Sequence, residues 1–399
     1  MTARADDGGD RGGLGELRRA GGRGVVIAGG GLAAQRAAET LRRGGYDGRL
    51  RMICAERHRP YDRPPLSKEV LAGVEHGAFR PAAWYEEHGV ELELGVAAAG
   101  LDCRQRAVSL ADGRELRYER LLIATGSRPR RLALLDGFAN VHTLRTLDDA
   151  RALRTAIVEG GRVVIVGAGF IGQEVAAAAA RAGVQATIVE AAAAPLQALL
   201  GTEVGSWFAK LHRSHGVEVI LGTEIAAAHG THHVEALMLP DGRRLACEHV
   251  VVGIGVDPDV AWLTGSGLDP AGVAVDGDGR TAAPDVFAAG DAAATYDPVL
   301  RGHVPGGHWE AAVRQGVAAA RAMLGREPQR SAPASFWSDL YDTRVQYLGN
   351  ARLADRTAID GDPAARDFAI TFTRDGAPVA VLLVGRPHEL PNARALLAA

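Results

Sequence analysis

A chain of 399 residues is too long for one ordinary domain and has room for two or three. Its 47% hydrophobic and 23% charged content fits a globular protein, and a formal net charge of −3 gives no general attraction to nucleic acid or to an anionic membrane. No apolar run reaches the roughly 18 residues that a spanning helix needs, and the alanine run Ala176–Ala180 stops at Arg181.

Residues 1–22 are rich in Gly, Arg and Asp and hold no signal-like apolar core, so they are expected to form a disordered tail on a cytoplasmic protein. From Arg23 the pattern reads strand, glycine turn, helix (Leu32 to Arg43) and strand (Leu50 to Ala55, followed by Glu56). In that turn Gly29 permits the tight bend, Gly31 lets the main chain approach a pyrophosphate, and Ala34 is small enough for helix–strand packing. The unpaired N–H groups at the helix start suit a diphosphate, and Glu56 is placed to accept ribose hydroxyls. A proline-rich loop, Arg59 to Lys68, follows; then come a hairpin signal at Ala111-Asp112-Gly113-Arg114 and a strand running into Thr125-Gly126.

The same pattern repeats from Arg162. Gly167, Gly169 and Gly172 form the second cradle, the helix runs from about Ile171 to Ala182, and the next strand ends at Glu190. Gly255, after a later strand, is counted with this cradle. A carboxylate at Glu190 would repel the 2′-phosphate of NADP(H), and no arginine follows until Arg213, so NAD(H) is the expected nicotinamide cofactor. Glu174, one turn into this helix, is a candidate for a functional carboxylate.

A second hairpin signal lies at Pro240-Asp241-Gly242-Arg243, and Pro284 to Asp291 reads as another strand-to-helix turn. A helix is expected from His308 to Leu324, then short alternating stretches that read as a small antiparallel sheet. Two cradles in one chain predict electron transfer between two bound dinucleotides. Cys54, Cys103 and Cys247 lie far apart and form no CxxC pair, and the thirteen histidines show no ligand spacing; neither a redox dithiol nor a metal site is expected.

The segment Tyr61-Asp62-Arg63-Pro64-Pro65-Leu66-Ser67-Lys68 resembles the YxRPPLSK signature of the ferredoxin-reductase branch of the FAD-dependent pyridine nucleotide oxidoreductases. That branch holds the putidaredoxin, rhodocoxin and dioxygenase ferredoxin reductases, with apoptosis-inducing factor a relative. Ala124-Thr125-Gly126, Leu144 to Ala150, Ala289-Gly290-Asp291, His308-Trp309 and Phe336 to Asp342 match in the same order. The resemblance implies an α/β fold of two Rossmann-like dinucleotide-binding domains, one inserted in the other, plus a small C-terminal α+β domain. The boundaries expected are 23–129 with 256–325 for FAD, 130–255 for NAD and 326–399 for the C-terminal domain.

It further implies FAD contacts at Ala33, Glu56, Arg63, Lys68, Ala98, Thr125, Gly126, Arg145, Gly290, Asp291 and Trp309, beside Gly29, Gly31 and Ala34. Lys68 is expected near the reactive edge of the flavin and Glu174 beside it, as the catalytic pair. The implied activity is hydride transfer from NADH to FAD, then single electrons to a [2Fe–2S] ferredoxin serving a P450 or a ring-hydroxylating oxygenase. The competing readings are an NADH oxidase, disfavoured because Ser67 and Lys68 stand where a reactive cysteine would, and an NADH-responsive redox sensor. Arg301, Arg314 and Arg344 are candidates for docking an acidic ferredoxin. Two departures stand out: Pro305 and Gly307 replace the branch's arginine and glutamate before His308-Trp309, and Pro195 and Ala198 replace arginines after Glu190.

Overall fold

The computed structural model of the protein describes residues 23–297, 301–305, 307–327 and 335–398; the tail expected over 1–22 lies outside them. The described chain divides into two compact units. The first joins residues up to Asp62 with Ala78–Ser127 and the stretch from Pro258 to residue 327; the second joins Arg63–Gly77, Arg128–Asp257 and 335–398.

The first unit is built on a five-stranded parallel sheet in the order Val286–Ala288, Arg120–Ile123, Val25–Ala28, Leu50–Cys54, Val90–Leu94. Val25–Ala28 is apolar at every position because both faces are covered. Val25 and Ile27 pack under the helices Leu32–Arg43 and Trp309–Met323, while Val26 and Ala28 face the opposite layer. That layer includes the antiparallel sheet Ala98–Asp102, Ala107–Leu110, Glu115–Arg117, whose second hairpin turns at the expected Ala111–Arg114. The strand order reverses beside Val25–Ala28, which puts the glycine turn and the Ala124–Gly126 loop at the switch point where ligands bind in such sheets. After Val286–Ala288 the expected helix does not form. Gly290, at φ +74°, starts a single 3₁₀ turn (Gly290–Ala292) that leads into the strand Ala293–Asp297, captured by pairing with Val273–Val275 and Gly302–Pro305.

The second unit repeats the plan with a parallel sheet in the order Glu218–Leu221, Gln185–Glu190, Arg162–Val166, His249–Val252, Val141–His142. Its helix Leu147–Glu159 starts at a capping box, Thr146 and Asp149 bonding each other's backbone N–H. Residues 335–398 form an antiparallel sheet, in the order Ser335–Leu340, Thr343–Gly349, Ala377–Val384, Asp367–Arg374, Arg356–Asp362, with the helix Leu390–Ala398 on one face. Phe336, Leu340, Val345 and Phe368 on its other face pack against Ala177, Val204 and Phe208 of the helices Phe170–Arg181 and Gln197–Ser214. This shared core is why the C-terminal sheet groups with the second unit. None of the described helices is long and apolar enough to cross a membrane.

At Gly316 of Trp309–Met323 a Cβ would stand 2.3 Å from the Ala33 carbonyl oxygen. Gly316→Ala is expected to force the two helices apart and destabilise the first unit by about 1–3 kcal/mol, read as a lower midpoint in urea.

Candidate functional site

Each unit carries one cradle, and in each the first glycine is required sterically. In the first, Gly29 has φ +137° and a Cβ there would lie 2.0 Å from the Ala124 carbonyl oxygen; a Cβ at Gly30 would meet Cys54 Sγ at 2.7 Å. A Cβ at Gly31 would meet nothing within 4 Å, so the turn is tight beneath and open above. Gly31 is the N-cap of Leu32–Arg43, with no capping side chain and no acidic residue in the first turn, so the N–H groups and partial positive charge of the helix start suit a diphosphate. This is the fit that a dinucleotide demands.

Around that turn the expected residues take these places. Ala34 is wholly buried beneath the helix, and Ala33 turns its methyl toward Gly290 and its carbonyl toward Gly316. Half-buried Glu56 follows the strand Leu50–Cys54 and accepts a hydrogen bond from the Tyr61 hydroxyl. Ala98 starts the strand Ala98–Asp102, two residues after Val96, whose N–H donates to the Cys54 carbonyl at 3.1 Å. Thr125 Oγ1 donates to the Asp259 carbonyl at 2.6 Å, and Gly126 has φ +78°. Asp291 Oδ2 accepts from Ser127 Oγ at 2.7 Å, and the Gly290 N–H donates to Gln315 Oε1 at 2.8 Å. Trp309 Nε1 donates to Asp62 Oδ1 at 2.7 Å. Ser127 and Gln315 escaped the sequence reading; no spacing signal marks a residue whose task is to hold a neighbour.

In the second unit Gly167 has φ +104°, and a Cβ there would lie 2.5 Å from the Gly253 carbonyl oxygen; one at Gly172 would lie 2.2 Å from the Gly167 oxygen. Gly169 is the N-cap of Phe170–Arg181, again with neither a capping side chain nor an acidic residue in the first turn. Glu190 reaches this turn, its carboxylate accepting from the Ala168 N–H at 2.6 Å and the Ala192 N–H at 2.8 Å. Gly255, exposed at φ +105°, gives its carbonyl to the Arg130 N–H. Arg63, Lys68 and Arg145 also belong to this unit. The Arg63 guanidinium donates to the Arg145 carbonyl, and the Arg145 N–H donates to Asp149 Oδ2 at 3.0 Å. Of the docking candidates in this unit, Arg344 is tied to Asp339 by two bonds of 2.7 and 2.9 Å.

The expected catalytic pair does meet. Lys68 Nζ lies 2.8 Å from Glu174 Oε1, with side-chain exposures of only 13% and 4%. Ser338 Oγ donates to Glu174 Oε1 at 2.6 Å, and Ser67 Oγ donates to Oε2. The prolines of the 3₁₀ turn Pro64–Ser67 fix the backbone just before Lys68, and Ser338 comes from the C-terminal sheet. A buried carboxylate with a cation and two hydroxyls is well satisfied. Thiol chemistry has no such support: burial pushes the Cys54 thiol up to about 12 and Cys247 up to about 11, and Cys103 is raised as well. Among the described residues no group of three or more His, Cys, Asp or Glu could hold a metal ion.

Residues 23–316 match the family model of the pyridine nucleotide-disulphide oxidoreductases, and 335–399 match the reductase C-terminal model. The chain is 39% identical over 380 residues to the anthranilate 1,2-dioxygenase system ferredoxin–NAD(+) reductase component of Burkholderia cepacia, covering 94% of each chain. It is 36% identical over 381 residues to the biphenyl dioxygenase system ferredoxin–NAD(+) reductase component of Paraburkholderia xenovorans, covering 94% of this chain and 92% of that one. Among solved structures, the covalent putidaredoxin reductase–putidaredoxin complex superposes with a TM-score of 0.90 at 31% identity, covering 94% of this chain and 93% of the other.

Glu174→Ala is expected to strand the Lys68 ammonium and both serine hydroxyls and to destabilise the second unit by about 3 kcal/mol. Equilibrium denaturation of the wild type and the variant measures it.

Proposed function

The chain belongs to the pyridine nucleotide-disulphide oxidoreductase family, and we propose that it is an NADH-dependent, FAD-containing ferredoxin reductase. NADH and two oxidised [2Fe–2S] ferredoxins are converted to NAD⁺, a proton and two reduced ferredoxins, which supply a P450 or a ring-hydroxylating dioxygenase. The observation that carries this reading is the pair of open glycine cradles in a chain whose three thiols are all raised above their ordinary pKa. With no cysteine pair to take both electrons, a one-electron carrier is the fitting acceptor.

When bound, FAD supplies the conversion of a two-electron hydride into single-electron deliveries. The residues do the binding and orienting. The uncapped start of Leu32–Arg43 takes the FAD diphosphate, Glu56 takes the ribose diol, and Asp291, oriented by Ser127, takes ribityl hydroxyls. In the second unit the start of Phe170–Arg181 takes the NADH diphosphate. Glu190, already at hydrogen-bond distance from the turn, accepts the ribose hydroxyls and repels a 2′-phosphate. Lys68 and Glu174 act as the catalytic pair, the ammonium held in place by a carboxylate that two serines orient. The protein works in the cytoplasm, a placement supported by its raised, unpaired thiols.

Anaerobic titration of the yellow protein tests this. About one equivalent of NADH is expected to bleach the flavin, and cytochrome c reduction is expected to need added ferredoxin. A colourless protein that takes up no FAD overturns the reading. NADH is expected to be preferred over NADPH by about tenfold or more, with Glu190→Ala narrowing the gap; kcat/KM for the two cofactors checks it.

A further inference from the structure

A directional hydrogen-bond chain leaves the second cradle and ends in the C-terminal sheet. Gln173 and His212 are both wholly buried. Gln173 Nε2 donates to the Ala168 carbonyl at 3.0 Å; Gln173 Oε1 lies 3.2 Å from His212 Nε2; His212 Nδ1 lies 2.8 Å from the Tyr341 hydroxyl. A carbonyl only accepts, so the amide must turn its NH₂ to Ala168 and its oxygen to the histidine. His212 therefore carries its proton on Nε2, Nδ1 accepts, and Tyr341 donates. Burial, with His215 nearby, pushes the imidazole down to about 4, so the ring is neutral, as this arrangement requires.

The far end of the chain is strained and over-restrained. Tyr341 lies in the two-residue turn between Ser335–Leu340 and Thr343–Gly349 with φ +58°, a left-handed conformation that a bulky side chain rarely adopts. The turn keeps an aromatic there nonetheless. His215 stacks on its ring at 3.6 Å and 7°, and the Arg181 guanidinium donates to its carbonyl. Arg181 ends the helix whose first turn holds Gln173, so the C-terminal hairpin holds one end of that helix directly and reaches the other through His212.

The near end of the chain sets a peptide plane. Across a trans peptide, C=O and N–H point in opposite directions. Fixing the Ala168 carbonyl on Gln173 thus aims the Gly169 N–H away from Gln173, while Glu190 takes the Ala168 N–H.

We propose that Gln173, His212 and Tyr341 are positioning residues through which the C-terminal hairpin sets the orientation of the Ala168–Gly169 peptide, and so the affinity of the second cradle for the NADH diphosphate. This rests on the assignment of that cradle to NADH. None of the three needs to touch the cofactor.

The test uses full-length, FAD-loaded protein with Tyr341→Phe, Gln173→Met and the double variant, measuring NAD⁺ affinity by calorimetry and the kinetics with NADH. Each single variant is expected to weaken binding about fivefold, through KM and not kcat, because a buried partner is left unpaired. Since the chain acts as a unit, the double variant binds no more weakly than Gln173→Met alone. A Tyr341→Phe protein with a lowered Tm and unchanged affinity overturns the proposal, as do additive effects. Nitrogen-15 NMR of wild-type His212 gives an independent reading: a neutral ring protonated at Nε2 is expected, and protonation at Nδ1 overturns the chain. Wild-type protein that binds FAD but no NAD⁺ or NADH overturns the cradle's assignment itself, and the inference with it.

Discussion

Main chain meeting main chain, with no side chain between, is the constraint on which both units are built. At Gly29 the contact is with Ala124, and at Gly167 with Gly253; in each case a strand-end turn presses against the loop after a neighbouring parallel strand. Any Cβ there would overlap a carbonyl oxygen, so the turn could not close and the helix start could not face outward. Both cradles follow from this contact. The acidic end of the second strand, Glu190, reaches the turn so placed, its carboxylate accepting from the Ala168 N–H beside an open helix start.

Around these cradles the polar interior is organised by residues that act on other residues. Glu174 would be a costly buried charge without Lys68, Ser67 and Ser338. Two of those partners come from the segment 63–77 and one from the C-terminal sheet. The sheet that covers Phe208 and Ala177 with its apolar face thus also completes a polar site. The apolar packing and the polar cluster share one surface of the C-terminal sheet.

Much of this could be read from the sequence because the deciding physics is local. Glycine at 29, 167 and 172 reports backbone conformation or close approach at that position, glycine at 31 and 169 marks the open helix start, and the strand patterns beside them report burial on both faces. The stretch Leu144 to Ala150, recognisable only as a resemblance, turns out to hold a capping box at Thr146 and Asp149. What stayed hidden was non-local. Ser338 and Glu174 stand 164 positions apart, and Ser127 and Asp291 likewise, so no spacing rule connects them. The helix expected after Gly290 failed for a similar reason: Ala293–Asp297 is held as a strand by partners at Val273–Val275 and Gly302–Pro305. Local propensity is weak where pairing across the chain competes with it.

Cys54 lies directly under the first glycine turn, its sulfur filling the space that a side chain at Gly30 would need. Burial pushes its pKa up to about 12, so at neutral pH it stands as the thiol. Peroxide attacks the thiolate and not the thiol, so this sulfur is shielded both chemically and sterically. A flavoprotein that leaks electrons to oxygen in air makes its own peroxide. Sulfur used here as a space-filling atom leaves the glycine turn resistant to such peroxide.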